Sequence, residues 1–220
     1  MSDKLLQASI VIVGTGFSPS NLDPISLSER NIVPQEWEWV VAGNMTTPVA
    51  SAVTYENGVS IVNEATKFQV TEPAIAELRN SKGIEIAKNY VSKFTQIGYT
   101  AVGINFHVIV PMSGTNTFIQ QHFLKESLLR AAPNQLQQVG LRLIYSIDGG
   151  TLRINVDEGK AEQTVEGKTE SYTGLLFVAN HHRVCTERPA GKQVLKFLNL
   201  MDGDWDNLRV IISSLVGSVQ

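Results

Sequence analysis

The chain holds one cysteine, Cys185. An internal disulfide and a cysteine-based zinc site are both excluded by that count. Long apolar runs are missing too: none approaches the roughly 20 residues of a membrane helix. No charged segment followed by an apolar stretch opens the sequence, so no secretory signal is read there. Positive charge is not in excess, with 18 Lys and Arg against 21 Asp and Glu and a net charge of -3. That balance argues against non-specific nucleic-acid binding over the whole surface. Neither an HExxH pattern nor a repeat array nor a low-complexity tract occurs. These absences make the cytoplasm the expected location, with no membrane association, no metal and no cofactor.

What is present is a globular composition, 43% hydrophobic and 18% charged. A chain of 220 residues is expected to form a single domain over residues 1–220 with a substantial core. The organising stretch is Tyr99 to Met112, YTAVGINFHVIVPM, which alternates with period two. Val102, Ile104, Phe106, Val108 and Val110 form an apolar face. The other face is small in the middle and polar at Asn105 and His107. An interior strand follows.

Ala8 to Gly14 reads as a short buried strand, and Gly14-Thr15-Gly16 after it imitates a dinucleotide fingerprint. The third small residue is replaced by Pro19, and no helix stripe follows, so the reading is a strand running into an irregular loop. Glu36 to Gly43 alternates with Trp37, Trp39 and Val41 on one side and is predicted as a strand. Asn57-Gly58 predicts a hairpin with a type I′ turn. Thr71-Glu72-Pro73 is expected to open a helix, with Ser81 capping a second segment that carries Ile86, Tyr90, Val91, Phe94 and Ile97. A later helix is expected to bury Phe123, Leu124, Leu128 and Ala131.

Gly149-Gly150 predicts a two-residue turn that sets Ile147 opposite Leu152, Leu143 opposite Val156 and Arg142 opposite Asp157. The polar stretch 158–171 is expected to be a mobile connection, or else the tip of a long hairpin. Trp205, Leu208, Ile211, Ile212 and Leu215 stripe a final helix that could add to a homodimer seam. The expected fold is α+β: an antiparallel-rich or mixed sheet with helices packed mainly on one face.

Two side-chain groups invite a function. Asn105 and His107 on the central strand echo Asn180 and His182 after the polar connection, in VGINFHVIV and FVANHHRVC. On neighbouring strands they could share a face, where imidazole can ligate a metal or act as a base. A structural hydrogen-bond ladder is the competing interpretation. His181, Arg183, Arg188 and Lys192 belong to the one locally basic segment and could converge on a small anion, or simply face water. Arg183 and Arg188 could also lower the pKa of Cys185. Asp202-Gly203-Asp204-Trp205-Asp206 imitates the start of a calcium loop but lacks its later ligands, so it reads as a helix N-terminus. With no acid–base pair, nucleophile or metal motif, the expected class is a non-enzymatic binding or protein-interaction module. The alternative is an enzyme or metal- or anion-binding protein using the Asn/His patch.

The segment Pro19 to Pro34 (PSNLDPISLSERNIVP), the strand ending in Asn105-Phe106-His107, the Asn180-His181-His182 strand end and the acidic start of the last helix form a recognisable layout. It resembles a bacterial family of uncharacterised proteins of similar length and sporadic distribution. The resemblance implies a soluble bacterial α+β protein and carries over no catalytic residues.

Overall fold

The computed structural model describes residues 3–73, 78–126, 136–165 and 168–217. Strand β1 (Lys4–Thr15) leads through a short helix α1 (Pro24–Glu29) to β2 (Val41–Thr46), β3 (Ala50–Tyr55), β4 (Ser60–Glu64) and β5 (Lys67–Pro73). Helix α2 (Lys82–Lys93) precedes β6 (Gly98–Pro111) and α3 (Thr115–Phe123). The chain closes with β7 (Leu141–Ile147), β8 (Gly150–Val165), β9 (Lys168–Val184), α4 (Ala190–Leu198) and α5 (Met201–Val216). Among the described residues the strands make one sheet in the order β2-β3-β4-β5-β1-β6-β9-β8-β7, and every pairing is antiparallel. This is an α+β fold, and the stretch Tyr99 to Met112 is an interior strand as expected.

Directly paired residues in an antiparallel sheet point to the same side. Glu72, Ala8, Phe106, Ala179, Ile154 and Leu143 therefore form one row across the sheet. The next row runs Val70, Ile10, Ile104, His181, Leu152 and Tyr145. Phe106, Ile104, Phe68 and Phe177 on this side are fully buried in one cluster with Ile86, Tyr90 and Leu208. The Tyr90 ring of α2 stacks on Phe68 with centroids 3.7 Å apart, and Trp205 of α5 lies 5.4 Å from Phe106.

Several local expectations need correction. The Trp37 and Trp39 segment is not a strand: residues 35–37 make a tight turn and Glu38 takes a left-handed conformation (φ 51°). The two indoles still pair, at 4.7 Å, and Trp39 packs on Tyr55. In the Asn57-Gly58 turn only Gly58 has positive φ, while the Asn57 side chain accepts from Val59 N. Thr71 to Pro73 belongs to β5, and Glu72 serves the helix from outside it. Its carboxylate accepts from the amides of Lys82 and Gly83 and from the Ser81 hydroxyl, and Ser81 caps α2 as predicted. A carboxylate suits that position because a helix N-terminus exposes free amides and positive partial charge.

The segment around Pro24, read as an irregular loop, contains α1, capped by a reciprocal Asp23–Ser26 box. In α3 the buried apolar residues are Phe118 and Ile119, whereas Phe123 is exposed; Leu128 and Ala131 lie outside the described residues. The β7–β8 hairpin turns on Asp148-Gly149, with Ile147 opposite Gly150, Leu143 opposite Ile154 and Arg142 opposite Asn155. The shift from the expected register is two residues, so the same side chains face the core. Gly149 supplies the positive φ (73°) that such a turn needs. The described parts of the polar stretch, 158–165 and 168–171, continue the β8–β9 pairing, with Lys160 opposite Thr173 and Glu162 opposite Ser171. Backbone pairing needs no apolar side chains, which explains how so polar a segment extends the hairpin.

Candidate functional site

Alternation along β9 divides the expected site residues between two faces. Asn180 and His182 point to the side opposite Phe106, together with Asn105 and His107 of β6. Asn180 pairs directly with Asn105, and its Nδ2 donates to Asn105 Oδ1 at 2.5 Å. Asn105 Nδ2 in turn donates to Ser9 Oγ and Ser9 O at 3.2 and 3.3 Å. Arg153 lies beside Asn180 on β8, so a polar row crosses four strands.

The histidines flank this row instead of meeting across it. His107 sits beside Gln7 and Val178, and His182 beside Gly103 and Thr151. Four residues along the strand direction and one strand across place their backbones about 14 Å apart. Side chains stand roughly perpendicular to a sheet, so the imidazoles do not converge. Burial lowers the His107 pKa, which keeps the ring neutral at neutral pH. No group of three His, Cys, Asp or Glu side chains among the described residues could hold a metal ion.

His181 and Arg183 face the opposite way, into the core. Both are buried, at 1% and 4% exposure, and so is Asp204 of α5 at 4%. Arg183 Nη1 and Nη2 donate to the two Asp204 oxygens at 2.7 and 2.6 Å, and Nε donates to Asp148 O at 3.2 Å. Phe197 of α4 lies 5.9 Å from the guanidinium. His181 Nε2 is 3.9 Å from Asp204 Oδ1, and neither ring nitrogen finds a partner at full hydrogen-bonding geometry. Burial lowers the His181 pKa; Asp204 and the Ile104 backbone pull it upward, and Arg183 pushes it down.

The expected anion patch is therefore not assembled. Strand parity takes His181 and Arg183 inward, while Arg188 and Lys192 are exposed on the following loop and helix. The amides of Thr186 and Glu187 are already taken by Gln193 Oε1 at 2.8 and 2.9 Å. Nor is Cys185 activated: burial raises its pKa, and Arg188 opposes this only as the lesser influence. The acidic start of the last helix has a role the spacing did not reveal, since Asp204 is the partner of Arg183. Leu208 and Ile212 on the same helix are buried in the chain's own core, and Trp205, Ile211 and Leu215 are half-buried against it.

A different surface stands open. Strand β2 is an edge of the sheet, and all its residues are exposed. Val40, Val41, Met45 and Val49, on and beside it, are 57%, 38%, 53% and 72% exposed. No charged residue occurs between Glu38 and Glu56. Sheet edges are ordinarily guarded by charge, proline or a bulge. Here a register shift between Val41 and Gly43 interrupts one end, and Gly43 to Thr46 continues in regular pairing with β3. Sequence reasoning missed this site, although the uncharged run was visible. No described helix is long and apolar enough to cross a membrane. No protein-family model matches this chain, and no curated protein matches its sequence.

Proposed function

We propose that the protein is a non-enzymatic interaction module that pairs with a second copy of itself through the β2 edge. The observation that carries this reading is the uncharged edge strand Val41–Thr46, with Val40, Val41 and Met45 exposed on and beside it. An edge strand offers unpaired amides and carbonyls, and antiparallel pairing of a strand with its own copy closes a two-fold dimer. Without charge on the strand, like charges do not oppose the approach. In sedimentation equilibrium the protein is expected at twice the 24.1 kDa chain mass, and Met45→Lys at the single mass. A wild type that stays at the single mass at every concentration contradicts the proposal.

The contacts of Trp205 with Phe106 and Tyr90 with Phe68 support helices packed mainly on one face of the sheet. The Asn105–Asn180 face would then stay free of them. The lone cysteine and the absence of a long apolar helix among the described residues support a soluble, cytoplasmic protein, and the sequence layout supports a bacterial source. The alternative reading is an enzyme or a metal- or anion-binding protein built on Asn105, His107, Asn180 and His182. It has less support, because two register rows separate the imidazoles and the asparagines already bond to each other and to Ser9.

A further inference from the structure

Where β1 leaves the sheet, a cavity of about 120 Å³ lies between the following loop, the end of α1 and the end of α2. One water needs only roughly 10–15 Å³ of such space. Tyr90 lines this cavity and is 1% exposed. The rings of Phe68, Phe94 and Phe17 pack around it, with centroids 3.7, 4.5 and 6.3 Å away, so its hydroxyl has a fixed direction. That hydroxyl makes no hydrogen bond to any described residue. The neighbouring Tyr99 hydroxyl donates elsewhere, to Phe94 O at 2.8 Å. Burial raises the Tyr90 pKa, Tyr99 adds to this and Arg30 opposes it, so the hydroxyl keeps its proton at neutral pH.

A buried hydroxyl without a partner is costly, and natural interiors rarely retain one. Phenylalanine would fill the same place in the ring stack without that cost. Arg30 lines the cavity as well, and its charge reaches the Tyr90 hydroxyl. It has no carboxylate partner among the described residues, and its guanidinium lies 5.2 Å from the Phe94 ring. Ser18, Asn21 and Gln96 add neutral polar walls, and no Asp or Glu is among the described lining residues. The cavity thus offers a rigid O–H donor and an unpaired cation with nothing negative beside them. Its complement is an anion whose oxygens point in more than one direction. We infer that this cavity binds a small tetrahedral oxyanion, phosphate or sulfate. One oxygen accepts from the Tyr90 hydroxyl, and two others meet Arg30, whose planar fork suits an oxygen pair. None of these residues belongs to the β2 edge, so this site stands independently of self-association.

The test is phosphorus NMR of inorganic phosphate with the full chain, at constant ionic strength. The wild type is expected to broaden the phosphate resonance saturably. Sulfate is expected to reverse the broadening, and acetate, whose two oxygens lie in one plane, to do so only weakly. The concentration of sulfate needed, set against that of phosphate, separates the two anions. Tyr90→Phe keeps the ring stack and is expected to weaken binding about tenfold or more, with the ligand-free Tm unchanged or higher. A hydroxyl with only a structural role would instead lower Tm and leave binding as it was. Arg30→Gln, at an exposed position, is expected to weaken binding by a similar factor. If the wild type gives no saturable broadening, water alone fills the cavity and the inference is overturned. It is equally overturned if acetate competes as well as sulfate, or if Tyr90→Phe or Arg30→Gln binds phosphate like the wild type.

Discussion

Arg183 and Asp204 meet through two parallel hydrogen bonds at 2.7 and 2.6 Å, in a place where each is 4% exposed. The pair joins β9 to α5, 21 residues later in the chain. Removing one partner leaves a charge in the interior, which typically costs 3–5 kcal/mol. Asp204→Ala is expected to lose about that much in urea unfolding. The double variant Arg183→Met/Asp204→Leu is expected to recover most of the loss, because two well-packed apolar side chains replace a buried pair at little cost. An Asp204→Ala variant as stable as the wild type would contradict the role of this pair.

His181 makes stability depend on pH. Burial lowers its pKa in the folded chain below the ordinary value near 6.5, and the same holds for His107. The unfolded chain then binds protons that the folded chain does not, so stability falls as pH drops through about 6.5 and continues to fall until the folded value is reached. Above that window both states are neutral and the contribution is flat. His181→Leu is expected to reduce the slope below pH 6.5 and to gain about 1 kcal/mol at neutral pH, since two poorly partnered ring nitrogens leave the core. Urea midpoints measured across this range in both proteins check it; equal slopes would contradict it.

Phe106 is fully buried between Trp205 and the sheet, with its ring edge-on to His181 at 5.7 Å. Phe106→Ala is expected to cost about 3–5 kcal/mol, the range for deleting a large core aromatic. The same equilibrium unfolding measurement reads it. A loss under 1 kcal/mol, roughly that of a surface substitution, would mean the ring is not enclosed.

Asn105 bonds on both sides, to Asn180 and to Ser9. If this ladder is structural, Asn105→Ala costs stability, on the order of 1–3 kcal/mol for the partners left behind. His107→Ala and His182→Ala, whose rings lie away from that row, are expected to leave the ladder in place. Side-chain amide NMR signals of Asn180 provide the readout: they should shift in Asn105→Ala and persist in both histidine variants.

Legibility in the sequence followed the range of the interactions. The β6 strand was readable because Val102 to Val110 alternate without interruption, and the parity of β7 and β8 survived a two-residue error in register. The Ser81 cap was readable because its bond spans three residues. The Arg183–Asp204 pair was not, since nothing local to either residue names a partner on another element. Glu72 was misread for a related reason: a carboxylate near a helix start looks like part of the helix, but this one reaches in from β5. Parity also settled the candidate site. His181 and His182 are adjacent in sequence and face opposite sides of the sheet, so the apparent His/Arg cluster was divided by the pleat. The β2 edge escaped notice because the two tryptophans suggested a strand several residues too early.

The most direct measurement of the central claim is amide hydrogen exchange in β2 at high and low protein concentration. Gly43 to Thr46 include amides that do not bond to β3, and in a chain by itself these face water. Pairing of β2 with a second copy predicts that they exchange slowly at high concentration and become fast on dilution, while β6 amides stay protected throughout. Fast exchange of the same β2 amides at every concentration would contradict self-association through this edge.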